Sequence, residues 1–380
     1  MAFLGAQMQK LTLLLALSLV APRAHAQVSE AKAATPKPAP RRSRVLPIAA
    51  AVVPGAVVHG TGHLASGENA TGHRLLLMEG IGLVTFLGGG VTIALTGASR
   101  YVVAPAASIT MLGFGLFSTS YVADIYGTAK ADGDAAQSRP VPPARWETEL
   151  GYRHLEDAEF PYRNFLVERV SRQIGPLRLS PSGWFSTAGD TARYRAEAAY
   201  RLAGNLSDPR PRDVSHFDVT FAITHQRHRP DHFTQSTVEL SLDGRYDLAR
   251  LGPTLRGSFI EAGVGYALGR FDYDTAGVRI PDDVEHVLLG RIGFGVTLRG
   301  LSEPGSEIVG YYDHRHDDYV AGLKLPGRGS GIAGHLGLAA RWFFSDQLGV
   351  LLDVQAGSAY LAGASLLFRS PPPHDPKVSP

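Results

Sequence analysis

The densest run of chemically able side chains is Tyr311-Tyr312-Asp313-His314-Arg315-His316-Asp317-Asp318. Imidazoles flanked by carboxylates are groups that hold a divalent cation or pass protons near neutral pH. On an extended backbone His314 and His316 share one face, and Asp313, Arg315 and Asp317 take the other. A second group is His59, His63 and His73, within PGAVVHGTGHLASGENATGH. On one helix the first two would stand at i and i+4, the spacing of a metal-binding pair. Gly60, Gly62 and Gly67 argue against a regular helix there, and only Glu68 is placed as a carboxylate ligand. The first run therefore reads as a charged, self-paired strand end or loop. The second reads as a glycine-rich turn at a membrane boundary. No catalytic, cofactor-binding or metal-binding residue is assigned, and no cofactor is expected. Neither His314 nor His316 has an adjacent serine nucleophile, and Ser215-His216 lacks supporting context. No HExxH pattern and no phosphate-cradling glycine loop occurs.

The elements that carry these residues have two different periods. From Arg145 onward apolar and polar residues alternate, the signature of strands with one face in each medium. The clearest pair is Ser215 to Leu248. Phe217, Val219, Phe221 and Ile223, then Val238, Leu240, Leu242 and Tyr246, make one face. His216, Asp218, Thr220 and Thr224, then Glu239, Ser241, Asp243, Arg245 and Asp247, make the other. In TARYRAEAAYRLAG, Tyr194, Ala196, Ala198, Tyr200 and Leu202 oppose Arg193, Arg195, Glu197 and Arg201. The segment around Phe165 to Ser171 is poorly patterned. Ten to twelve strands are expected, mostly nine to thirteen residues long, whereas strands of globular proteins are nearer five or six. A tilted transmembrane strand needs about nine to eleven. Tyr152, Trp184, Tyr246, Trp342, Phe343, Phe344 and Tyr360 cluster toward strand ends, as interfacial girdles would. The apolar face then meets lipid and the charged face lines a lumen. Arg193, Arg195, Arg201, Arg245, Arg291 and Arg299 would give that lumen a positive potential.

Between Val45 and Tyr126 the chain is apolar without alternation. The runs Leu75 to Gly97 and Tyr101 to Val122 approach the twenty residues that cross a bilayer, and Glu79 is their one charge. Gly88, Gly89, Gly90, Gly113 and Gly115 permit close contact, so a helical hairpin is expected. Upstream, a positive charge at Lys10, the run LTLLLALSLV and the small-x-small site Ala24-His25-Ala26 form the layout of a secretory leader cleaved after Ala26. The expected divisions are residues 1–26 leader, 27–44 linker, 45–128 helical region, 129–144 proline-rich linker, 145–369 barrel and 370–380 tail. The absence of cysteine excludes a disulfide framework and thiolate metal sites. A net charge of +2 gives no reason to expect nucleic acid as a partner.

Leader, missing cysteine, long alternating strands and the closing YLAGASLLFRS together resemble a bacterial outer-membrane β-barrel protein. That resemblance spans roughly Arg145 to Phe368 and implies a membrane all-β fold: an antiparallel transmembrane barrel preceded by an apolar helical hairpin. Such barrels end on an aromatic residue read by the outer-membrane assembly machinery. Phe368 fits, although twelve residues follow it. PG…HG.GH…G is similar to short Pro-Gly/His-Gly motifs before paired hydrophobic helices in small bacterial membrane proteins. The resemblance implies a structural or porin-like, non-enzymatic protein of the cell outer membrane, with membrane lipids and lipopolysaccharide as partners. Two alternatives are a barrel-type lipid hydrolase using His314 or His316, and an inner-membrane-anchored protein with a periplasmic β-domain.

Overall fold

A computed structural model describes residues 45–97, 102–129, 141, 144–157, 163–204, 213–228, 232–275, 278–279, 283–298, 305–315, 319–320 and 334–370. The expected leader, the linker at 27–44, residues 130–140 and residues 371–380 lie outside them, as do Arg299, His316, Asp317 and Asp318.

Four helices come first: α1 (Val45–Val52), α2 (Thr61–Ser66), α3 (Asn69–Leu95) and α4 (Val103–Ala129). Twelve long strands follow: β1 (Trp146–Glu156), β2 (Asn164–Ile174), β3 (Leu177–Ser186), β4 (Thr191–Gly204), β5 (His216–His228) and β6 (Phe233–Asp247). Then come β7 (Ser258–Thr275), β8 (Asp283–Leu298), β9 (Ser306–Asp313), β10 (His335–Phe343), β11 (Leu348–Ala356) and β12 (Tyr360–Arg369). Each pairs antiparallel with its neighbours in sequence, and β1 pairs with β12 from Glu147–Arg369 to Glu156–Tyr360. The result is a closed up-and-down barrel of 12 strands. A two-residue strand, Val278–Arg279, extends the tip of β7.

The alternation decides which face goes where. Leu150, Tyr194, Phe221, Ile223, Val238, Leu240, Leu352 and Val354 all stand exposed on the outer wall. Glu149, Arg193, Asp218, Thr224, Glu239, Glu307 and Ser365 are buried inside. A water-soluble barrel would reverse this arrangement; an apolar band outside and a polar interior is the transmembrane form. The weak pattern of β2 also has a cause, because Glu168 and Arg172 fall on its outer face. Pro181 in β3 has no N–H to donate, and the β2–β3 ladder lapses between the Arg169–Ser182 and Arg172–Leu179 pairs. Two expected girdle residues prove to be lumen residues. Trp184 and Phe343 point inward, because Leu177, Leu179 and Phe185 set the outer face of β3 and Trp342 and Phe344 that end of β10.

The helices α3 and α4 form an antiparallel hairpin lying along the outer wall. Ile292 of β8 meets Gly115, and Gly290 meets Met111. Tyr126 packs edge-on to Phe294 at 6.2 Å between centroids. At the barrel end where β1 begins and β12 finishes, Leu75 and Ala123 are buried with Leu248, Leu255 and Ile260. The two helix backbones nearly touch. A Cβ on Gly82 would come within 2.5 Å of the Phe117 amide nitrogen, and one on Gly113 within 2.2 Å of the Phe86 nitrogen.

Replacing Gly113 with Leu should therefore force the hairpin apart, at the cost of about 1–3 kcal/mol typical of overpacking. The helical circular-dichroism signal of the variant should melt earlier while the barrel keeps its heat-modifiable gel migration. Unchanged helical melting would show that the contact is not limiting.

Candidate functional site

Three places bring polar groups together: the lumen, the base of the helical hairpin and the outer rim.

In the lumen, strand alternation stacks arginine and carboxylate on one surface, and the barrel's curvature lets them meet across strands. Arg245 of β6 donates to Glu261 of β7 at 2.5 Å and to Glu307 of β9 at 3.0 Å. Arg341 of β10 grips Glu147 of β1 through both carboxylate oxygens at 2.5 and 2.7 Å, and lies 3.6 Å from Glu307. On the other side Glu239 of β6 accepts from Arg195 of β4 at 2.5 Å and also from Arg315. Glu197 lies 3.4 Å from Arg195 and 3.7 Å from both Arg169 and Arg178. Arg201 is paired with Asp218 at 2.8 Å. Arg291 stands 4.0 Å over the Tyr311 ring and 3.7 Å from Glu261. Four of the arginines expected to make the lumen positive, Arg195, Arg201, Arg245 and Arg291, are thus paired with carboxylates on the same or nearby strands, and Arg299 lies outside the described residues. Arg193 lies 5.8 Å over Trp184. Above this lattice Tyr319, from the segment joining β9 and β10, stacks on Trp184 at 5.8 Å. It also meets Phe165 at 4.8 Å, and Val320 beside it is fully buried with Leu155 and Leu361.

Sequence reasoning placed His59 and His63 at an interface, but both are buried; the helix α2 forms despite its glycines because Gly60 and Gly67 take left-handed φ angles of +86° and +87° at its two ends. Asp124 of α4 receives the Gly62 and His63 amides at 3.0 and 3.1 Å and the His63 Nδ1–H at 2.6 Å. The His59 amide donates to Glu79 at 2.9 Å. Its ring Nδ1 lies 2.5 Å from Ser120 Oγ, whose own proton goes to the Phe117 carbonyl, so the imidazole is the donor. His73 is exposed on α3 and takes no part. Glu79, Ser120 and Asp124 were missed as partners. The signal was available in the sequence: a lone carboxylate within an apolar span requires a polar partner. Burial pushes the His59 imidazole below its ordinary value, against the pull of Glu79 and Asp124. The arrangement fixes α1 and α2 to the hairpin. His63 Nε2 is buried without a partner and faces Gly127, which leaves a ligand no access.

The run at 311–318 is divided. Tyr311 faces the lumen and donates to Asp353 at 3.3 Å; Asp313 accepts the Arg315 amide at 3.0 Å. His314 is held by the Tyr312 hydroxyl at 2.8 Å. Among the described residues no group of three His, Asp or Glu side chains could hold a metal ion. His225 Nδ1 and Ser236 Oγ lie 3.0 Å apart on the outer wall, and no described carboxylate bonds that imidazole to complete a hydrolytic triad.

Fold and interior define the class: a closed transmembrane β-barrel of the outer-membrane type, with an apolar helical hairpin on its N-terminal side. Neither a family model nor a curated protein matches the sequence. Among solved structures the chain is similar to the translocator domain of autotransporter NalP from Neisseria meningitidis, with 13% identity and a TM-score of 0.36 over 60% of this chain and 89% of that one. It is also similar to the KdgM porin in complex with disordered oligogalacturonate (8% identity, TM-score 0.37, 59% and 99% covered). A third likeness is to outer membrane phospholipase A from Escherichia coli (8%, 0.33, 60% and 94%). These are likenesses of barrel architecture only.

Glu307 is buried between two guanidinium groups that keep Glu261 and Glu147 as partners, so Glu307→Ala should destabilise the barrel by about 1.5–3 kcal/mol, the usual cost of losing charged hydrogen bonds. A fall in the temperature of heat-modifiable migration reads this; an unchanged transition would dismiss the lattice as a stabilising element. His59, with its folded pKa depressed, contributes stability above its unfolded value of about 6.5, and this is lost as pH falls through the folded value. Proteolysis of the α1–α2 segment should therefore accelerate on acidification, and His59→Phe should flatten that dependence.

Proposed function

We propose that this chain is a structural protein of the bacterial outer membrane, a barrel with a closed lumen and no catalytic role, exported by the leader that ends at Ala26. The single observation that carries this reading is the interior itself. Ion pairs from Glu147 through Arg341, Glu307 and Arg245 to Glu261 tie strands on different sides of the lumen. Tyr319 and Val320 lie against its apolar mouth. A solute path needs waters and mobile side chains along the axis, whereas these side chains satisfy one another. Closure also favours a scaffold over the pore-like alternative, with the helical hairpin as the element displayed along its wall. Lipids and the outer-membrane assembly machinery are the partners this reading requires, and Phe368, exposed on the outer face of β12, is the aromatic residue presented to the latter.

In planar bilayers the purified full chain should give no steady ohmic current, and Tyr319→Gly should produce only brief openings. A steady current from the wild type that is indifferent to Tyr319 would overturn the closed-lumen reading.

A further inference from the structure

The function above leaves one repeated feature unused. At the barrel end where β1 finishes and β12 begins, three histidines sit on outward-facing positions of different strands and a fourth, His314, directly follows β9, each with its Nδ1 tied to a neighbour. His154 Nδ1 is 2.9 Å from Asn164 Oδ1, which also receives the Tyr152 hydroxyl at 2.5 Å. His225 Nδ1 is 3.0 Å from Ser236 Oγ across the β5–β6 pair. His286 is bonded to the Tyr266 hydroxyl, and His314 to that of Tyr312 at 2.8 Å. A tethered Nδ1 fixes the plane of the ring and removes much of the rotamer freedom that an external partner would otherwise have to freeze. His154, His225 and His286 are exposed where the apolar wall gives way to tyrosines, the level of lipid headgroups.

The surroundings are cationic on balance. Arg163, Arg227 and Arg270 are exposed beside these rings. Facing His154 are Glu156, 3.6 Å from its Nε2, and Arg163, which shares that carboxylate at 3.7 Å. His225 faces Tyr194 on β4, Ser236 on β6 and its own Arg227, with Arg270 opposite Ser236 on β7. His286 faces Tyr266 and lies opposite Leu268, next to Arg270, which contacts Asp272 at 3.2 Å. His314 faces Tyr312 and Gly290, while Arg315 turns inward to Glu239.

We propose that His154, His225, His286 and His314, with Arg163, Arg227 and Arg270, form a belt on the outer wall that binds phosphate-bearing lipid headgroups, more tightly as the imidazoles protonate. This rests on the membrane assignment made above. Phosphate is the fitting partner because it accepts from several fixed N–H donors at once and because its charge complements the belt. The lipid surface is the fitting source because the donors point away from the lumen, around the wall and not into a pocket.

The test places the full chain in phosphatidylcholine vesicles, with and without phosphatidylglycerol, whose single charge does not change between about pH 5.5 and about pH 8. Adding the anionic lipid should raise the unfolding temperature at both pH values, by about 3 °C more at the lower one. The excess should vanish when all four histidines are changed to glutamine, in a variant that still shows heat-modifiable migration. An equal rise at both pH values, an excess that survives the fourfold change, or the same excess from free inorganic phosphate on neutral vesicles each overturns the belt. A chain that inserts into neither vesicle overturns the membrane reading and the belt with it.

Discussion

A strand placed in hydrocarbon has no water to bond its N–H and C=O groups, so its edges must be paired by protein. The whole design follows from meeting that demand. The ten-residue ladder between β1 and β12 removes both edges of the sheet, and only then do the outward Leu, Val, Ile and Phe of each strand have a use. Closure also traps whatever the other face carries. Here that is a dense set of arginines and carboxylates in a narrow interior, where an unpaired charge would cost several kcal/mol. Pairing across strands is the arrangement that makes such a sequence tolerable, and it turns the lumen into a polar core.

Much of this architecture can be read in the chain. Two-residue periodicity identifies the strands and their faces; Phe221 with Glu239 is enough to show that the β5–β6 hairpin separates two media. The glycine-bearing apolar runs announce the helical hairpin. What periodicity does not carry is distance across the barrel. That Glu307 meets Arg245 and Arg341 depends on strand register and curvature, and neither is written in local spacing. Trp184 and Phe343 mislead for a related reason: an aromatic residue near a strand end looks the same whether it faces a girdle or a plug. His59 and His63 were legible as unusual but not as buried, because their partners Ser120 and Asp124 come from a helix some sixty residues further on.

The helical hairpin meets the same constraint by another route. Its backbone is satisfied within each helix, so it needs no edge to add to, and it lies on the wall through side chains alone. Gly82 and Gly113 bring the two helices together until backbone meets backbone, and Gly290 and Gly115 thin the seam with β8. Its polar requirements gather at one end, where Asp124 and Glu79 hold the preceding turn and Thr254 and Arg74 link α3 to the β6–β7 connection. Two structural vocabularies share one membrane-facing surface, joined through contacts that leave every backbone ladder intact.

The cross-lumen ion pairs have a mechanical meaning. A hollow cylinder of twelve hydrogen-bonded staves is stiff along its ladders and soft to flattening, since ovalisation bends the sheet without breaking a bond. Arg245 reaches past two strands to Glu307, and Arg341, paired with Glu307 on the adjacent strand, reaches past two others to Glu147, so both act as struts across the wall. Squeezing the cross-section would have to stretch or compress those short contacts, so the lateral pressure of the surrounding lipid is borne by charge as well as by the sheet.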